Sequence, residues 1–358
     1  MKRMKRVIPF TVLSFLLFLS GCIPLGEPKA PTTPQDQTVI TPSIPVGEEY
    51  YQTLLPYVKS SAEGTYAEMG NRVDADRLEL GLMELSQKIF SPSRYILQEG
   101  QIISADDAVD WLARYDASKN SQGLNPASGS KPIVHIYEQD YLDMGTKKLA
   151  GLSIAISLNP MTTVTENGKE KEVRRSDEAL QGILQEASAK IVDRIRAKGM
   201  KGPLLIAGFL QEPAISLVPG HYFVYGTVPA NGTGAEWKPF KERYLLYPGR
   251  MAKSDLEKQV GANFSDFQGK LQEFFGRYAG AMGLARFVDD QLVEFTVTLE
   301  TEYSSKTEVL SLTQYIAGLI PQYFPQKAQV NVYIRSVDRP EALYVRPTKG
   351  DPLFHIYR

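Results

Sequence analysis

The chain has 358 residues, with 40 Lys and Arg against 41 Asp and Glu, a formal net charge of −1 and a single cysteine. A near-neutral balance without a basic stripe disfavours nucleic acid as a partner, and one thiol excludes an internal disulfide framework. After residue 21 every apolar run is short and broken by charge, Pro or Gly, which disfavours a membrane-spanning helix.

Lys2, Arg3, Lys5 and Arg6 precede the apolar run from Val7 to Leu19, the order of a secretory signal. At about 13 residues the run is shorter than the roughly 20 needed to cross the hydrocarbon core, and Pro9 interrupts it. It ends in Leu19, Ser20, Gly21 and Cys22, the small-small-Cys pattern of a lipobox. A thiol is required there as the nucleophile that accepts a diacylglyceryl group before cleavage between Gly21 and Cys22. Lipidation is therefore expected at Cys22, with residues 1–21 removed. Two acyl chains, at about 0.8 kcal/mol per buried methylene, give stable retention where one myristoyl chain is marginal. The mature chain, about 337 residues with a formal charge near −5, is expected at the outer face of the cytoplasmic membrane, anchored through that lipid.

Residues 22–47 carry Pro24, Pro28, Pro31, Pro34, Pro42 and Pro45 among Thr, Gln and Ser, the composition of a tether. In polyproline II, at about 3.1 Å per residue, its reach is on the order of 75 Å. Residues 48–132 read as a helical region. Leu82, Leu85 and Ile89 share a helical face before Ser91 and Pro92 stop the pattern, and Ser104 caps a second helix whose first turn holds Asp106 and Asp107. Residues 119–132 read as loop.

A first α/β unit is expected over residues 133–252. Residues 151–158 alternate as a strand, a polar loop follows, Ser176 caps an amphipathic helix to Lys198, and 203–211 and 221–228 read as two strands. The order is β-α-β-β. Residues 253–283 read as a long connecting helix, with Phe264, Phe267, Leu271, Phe274 and Phe275 as a packing face. The same β-α-β-β order then returns in a second unit over 284–358: a strand at 292–299, a helix at 306–323, strands at 328–336 and 342–346, and a short strand at 353–357. The expected fold is α/β or α+β, a mixed sheet with packed helices in duplicated units after a short helical region. One continuous sheet and two lobes are both compatible with this order.

Chemistry is sparse. His135, His221 and His355 stand far apart in apparent strands, and no H-E-x-x-H, paired CxxC, EF-hand or phosphate-loop pattern is present, so no metal or cofactor is expected. The sharpest group is Glu138 and Asp140. If the segment is extended, these two acids share one face while His135, Tyr137 and Gln139 line the other. Such a pair serves acid/base work on a glycan, caps a turn, or pairs with Lys147 and Lys148. Glu300, Glu302 and Tyr303 form a second acidic group at a strand end, where α/β proteins often place ligands. Neither group combines a nucleophile, a base and an orienting partner.

Taken in order, the lipobox, YQTLLP at 51–56, GLMELSQKIF at 81–90, YILQEGQ at 95–101, GLNP at 123–126, EQDY at 138–141, FVD at 287–289, LTQYI at 312–316 and HIY at 355–357 resemble the CamS family of Gram-positive sex-pheromone lipoproteins over essentially the whole chain. The resemblance implies that the signal-peptide tail, here Phe15 to Gly21, is released as a hydrophobic peptide recognised by a plasmid-encoded pheromone receptor. It assigns no catalytic residue to the body. The expectation for the body is a non-enzymatic module that binds an extracellular ligand or envelope component, the alternative being an envelope glycan hydrolase built on the carboxylate pair.

Overall fold

The structure, a computed structural model, describes residues 39–42, 50–62, 64–65, 74–249, 251–275, 278–302 and 305–358. The lipobox residues Leu19, Ser20, Gly21 and Cys22, the Phe15 to Gly21 tail and Tyr303 lie outside these residues, as does most of the proline-rich stretch. The first half of the chain runs β1 (Val39–Ile40), β2 (Gln52–Leu55), α1 (Ala75–Ser86), β3 (Tyr95–Glu99), α2 (Ala105–Leu112), β4 (Ile133–Asp143) and β5 (Leu149–Leu158). It continues through the hairpin β6 (Met161–Glu166) and β7 (Lys169–Arg174), then α3 (Asp177–Ala197), β8 (Leu204–Leu210), β9 (His221–Val228) and β10 (Glu236–Pro239). The second half comprises β11 (Glu242–Tyr247), α4 (Asp255–Phe274), β12 (Tyr278–Val288), β13 (Gln291–Thr301), α5 (Lys306–Tyr323), β14 (Gln329–Arg335), β15 (Pro340–Arg346) and β16 (Leu353–Ile356).

The strands form two separate sheets besides the hairpin. One has the order β1-β2-β3-β4-β5-β8-β9-β10 and the other β11-β12-β13-β14-β15-β16. From β3 onward the first repeats in the second, strand for strand. In each, the third and fourth strands pair parallel, β5 with β8 and β13 with β14, and every other neighbour is antiparallel. Each parallel pair is bridged by a helix, α3 or α5, as a parallel crossover requires. The duplicated order is thus β-α-β-β-α-β-β-β, wider than the β-α-β-β legible in the sequence.

Burial explains the strand compositions. In β8 every residue is buried, because both faces of the first sheet are covered. Leu204, Ile206 and Leu210 face the core under α2 and α3, while Leu205, Ala207 and Phe209 face Leu78, Leu82 and Leu85 of α1. Ser176 caps α3 by accepting from the Ala179 N–H, with Asp177 and Glu178 in the first turn and Arg194 and Arg196 in the last, matching the helix dipole at both ends. The second sheet packs Phe295, Val297, Leu299, Val330 and Val332 against Phe264, Phe267 and Leu271 of α4 and Val309, Leu312 and Ile316 of α5.

Helix α1 also ties the two sheets together through charge. Arg77 donates to Glu84 and, at 2.8 Å, to Glu242 of β11; Arg286 of β12 donates to the same Glu242 oxygen at 2.6 Å and to Glu84. The second Glu242 oxygen accepts from the Tyr222 N–H of β9 at 2.8 Å. Two guanidinium groups thus balance two carboxylates around a Glu242 side chain that is fully buried.

Four expectations need correction. The region before β4 is not purely helical: β1, β2 and β3 extend the first sheet, and Ile89 lies beyond the end of α1. The polar stretch after β5 is a hairpin, turned at Asn167 and Gly168 with positive φ. The long connecting helix stops at Phe274, and residues 278–283 belong to β12. Phe274 is exposed and meets Tyr315 edge to face, unlike the buried Phe264 and Phe267 of the same stripe.

Candidate functional site

Glu138 and Asp140 do share a face of β4, and what they meet there is the loop leading into α2. Glu138 accepts from the Ile102 N–H at 3.2 Å and the Ile103 N–H at 2.8 Å, and Asp140 accepts from the Gln101 N–H at 3.0 Å. The two carboxyls also hydrogen-bond each other. Burial raises both above the ordinary carboxylate range, and the neighbouring Glu138 charge adds to the rise at Asp140, which is pushed up to about 9. A pair of this kind keeps one proton at neutral pH. Apart from that mutual contact, Asp140 Oδ1 is buried with no hydrogen-bond partner, whereas Glu138 has two N–H donors and the attraction of Lys198, so the proton belongs on Asp140. Gly100 makes the approach possible: a Cβ there would lie 2.5 Å from the Glu138 Cβ. The pair is 5 % and 2 % exposed, sealed under the loop, with no room between its oxygens for a sugar.

His135 faces the other way. Its Nδ1 lies 2.7 Å from the Thr65 carbonyl oxygen, and burial holds the imidazole down to about 4. It is therefore neutral at physiological pH, with the Nδ1–H donating.

Glu300 lies at the C-terminal end of β13, in register with Arg335 of β14, and Glu302 is exposed just beyond the strand. This is the end of the parallel pair in the second repeat, and it is closed by ion pairs. Glu341, 1 % exposed, accepts from Lys306 at 2.5 Å, Arg339 at 2.8 Å and Ser336 at 2.9 Å, which pulls its carboxyl down to about 2.

The same end of the first repeat is open. A cleft of about 520 Å³, within the range of small-ligand sites, is lined by Arg174, Asp177 and Gln181 from the start of α3 and its approach, by His221 and Phe223 of β9, and by Trp237, Lys238 and Lys241 of β10 and the segment after it. It sits where the parallel pair β5 and β8 ends and α3 begins, the usual ligand position in α/β sheets. The Trp237 indole lies across Gly226, its cross-strand partner: a Cβ at 226 would come 2.9 Å from Cε3. Half-buried, Trp237 keeps its indole N–H without a protein partner among the described residues. Arg174 pairs with Asp177 at 2.8 Å, and Lys238 lies 3.3 Å from the exposed Glu236, while Lys241 forms no ion pair among the described residues. Burial lowers the His221 imidazole, favouring its neutral form.

The acids and His135 singled out in the sequence are therefore not brought together with the cleft. Of the cleft residues, sequence pattern marks only His221, as a strand residue, and Asp177, in the first turn of the helix capped by Ser176. Trp237, one of two tryptophans, standing on a four-residue strand after a Gly-rich turn, was the signal available for the rest. Among the described residues no group of three or more His, Cys, Asp and Glu is placed to hold a metal ion, and no helix is long and apolar enough to cross a membrane.

Comparison with solved structures finds a sex pheromone precursor from Lactobacillus salivarius subsp. salivarius UCC118, 26% identical, covering 90% of this chain and 99% of its own, with a TM-score of 0.77. The C-terminal domain of the sex pheromone staph-cAM373 precursor from Staphylococcus aureus, 23% identical, covers 81% of this chain and 98% of its own with a TM-score of 0.69, a likeness of fold. Comparison with curated proteins finds no match. The family described as CamS sex pheromone cAM373 precursor matches residues 57–352. The chain belongs to the CamS sex pheromone precursor family.

Proposed function

We propose that the chain is an extracytoplasmic lipoprotein, anchored by a diacylglyceryl group on Cys22, whose signal tail Phe15 to Gly21 is released as a pheromone-like peptide. Its folded body is a non-enzymatic module that binds an extracellular ligand or envelope component in the cleft of the first repeat. Family membership and the Leu19 to Cys22 lipobox support the precursor role. For the body, the observation that carries the reading is the difference between the repeats. One strand end is sealed by the Glu341 ion cluster, and its counterpart opens into the Trp237 cleft. A glycan hydrolase built on Glu138 and Asp140 is disfavoured, because both carboxyls are occupied by loop N–H groups beneath a closed surface.

The test of the body's role is thermal denaturation of the full chain, held in detergent, with and without a solubilised envelope fraction. The fraction should raise the melting temperature of the wild type and leave Trp237→Ala unmoved. No shift in the wild type would overturn the binding role.

A further inference from the structure

Resting on that reading of the cleft, we infer that its ligand is a short saccharide carrying an anionic substituent, with a sugar ring stacked on Trp237 and the negative charge held by Lys241 and Lys238. Three features of the molecule converge on this chemistry.

The first is the platform. Trp237 is kept flat by Gly226, whose missing side chain lets the indole lie on β9, and Phe223 of the same strand lines the cleft beside it. A broad aromatic face edged by an unpartnered indole N–H suits a ligand with one apolar surface and several hydroxyls, since the ring face takes C–H groups and the edge donates a hydrogen bond. A purely apolar ligand would leave that donor and the polar side chain of Gln181 at the cleft wall unpaired.

The second is charge. The two acids in the lining are already neutralised: Asp177 by Arg174, and Glu242 by Arg77 and Arg286. Lys241 is left without an ion pair among the described residues, and Lys238 has only the exposed Glu236. Lys241 and Lys238 thus bring positive charge to the cleft mouth, while Glu212 lies on the His221 side, 3.8 Å from Nδ1, and an anionic group is the complement of the two lysines.

The third is the comparison between the repeats. The second repeat goes directly from β13 to α5, and its strand end is closed by Lys306, Arg339 and Glu341. The first repeat inserts the β6–β7 hairpin at the equivalent point and has His221 at the start of β9, with burial of the imidazole favouring a neutral hydrogen-bonding group. Both differences set this end of the first sheet apart from its closed counterpart.

The experiment is calorimetric titration of the full chain in detergent with three probes: the disaccharide of N-acetylglucosamine and N-acetylmuramic acid, the uncharged disaccharide of N-acetylglucosamine, and inorganic phosphate. The acidic disaccharide should bind saturably and at least about 10-fold more tightly than either other probe, a difference of about 1.4 kcal/mol. Trp237→Ala should abolish binding, and Lys241→Glu should weaken it about 10-fold while leaving the melting temperature unchanged. Lys241 is exposed and its hydrogen bonds to Asp289 run through its backbone, so the second variant reports on charge.

Equal affinity for both disaccharides, or full affinity in Lys241→Glu, overturns the assignment of an anionic sugar. Phosphate binding as tightly as the acidic disaccharide overturns the role of the ring platform. If no probe binds although an envelope fraction stabilises the wild type, the saccharide class is wrong and the binding cleft survives. If the fraction has no effect either, both fail.

Discussion

The proton shared by Glu138 and Asp140 should make this fold lose stability as pH rises. In the unfolded chain Asp140 titrates near its ordinary value of about 3.9, and in the folded chain it is pushed up to about 9 by burial and by Glu138. Between those values the native state holds a proton that the unfolded state has released, so the stability gained from neutral Asp140 is complete below pH 4 and is lost as pH climbs towards 9. The slope for one proton is at most about 1.4 kcal/mol per pH unit, which caps the change from pH 5 to pH 8 at about 4 kcal/mol. Asp140→Asn mimics the protonated acid: its amide oxygen can accept from the Gln101 N–H, and its NH₂ can donate to Glu138. His135 titrates in the opposite sense, neutral in the fold down to about 4 and destabilising as pH falls below its ordinary value, so the informative quantity is the difference between wild type and variant, in which His135 cancels. Urea denaturation at pH 5 and pH 8 should show Asp140→Asn gaining about 2 to 4 kcal/mol on the wild type over that interval. Parallel pH dependence of the two proteins would refute the shared proton.

Other perturbations test the scaffold. Glu242→Gln leaves Arg77 and Arg286 facing a single carboxylate and should cost about 3 to 5 kcal/mol, read as a fall in the urea midpoint. Gly100→Ala sets a methyl against the Glu138 side chain and should cost about 1 to 3 kcal/mol, with faster hydrogen exchange at the Ile102 and Ile103 amides as the loop lifts. Ser254→Ala removes the capping box with Glu257 at the start of α4 and should lower stability by about 1 kcal/mol in the same urea assay.

Much of the fold could be read in advance because its repeated elements announce themselves locally. Ser176, Ser104 and the alternation of residues 151–158 and 292–299 are signals within a few residues of what they specify. Sequence pattern and structure differ where local signal and tertiary pairing part company. Strand β3, five residues long, gains its identity from pairing with β4, and β2 from pairing with β3. Residues 278–283, Tyr-Ala-Gly-Ala-Met-Gly, carry no clear period of their own, and β12 takes them because β11 and β13 flank it. Glu138 and Asp140 were visible as a pair, but nothing in the sequence aligns them with the N–H groups of residues 101–103. The cleft was less visible still: Arg174, His221, Trp237 and Lys241 follow no spacing rule and meet only because α3 returns the chain over β8 and β9.

The proposed precursor role is tested most directly by the intact mass of the chain extracted from membranes of the producing cell, together with peptides recovered from its medium. A chain beginning at Cys22 with the added mass of a diacylglyceryl group is expected, along with a medium containing a peptide drawn from Phe15 to Gly21. A chain that keeps residues 1–21, is cut elsewhere, or starts at an unmodified Cys22 would contradict it.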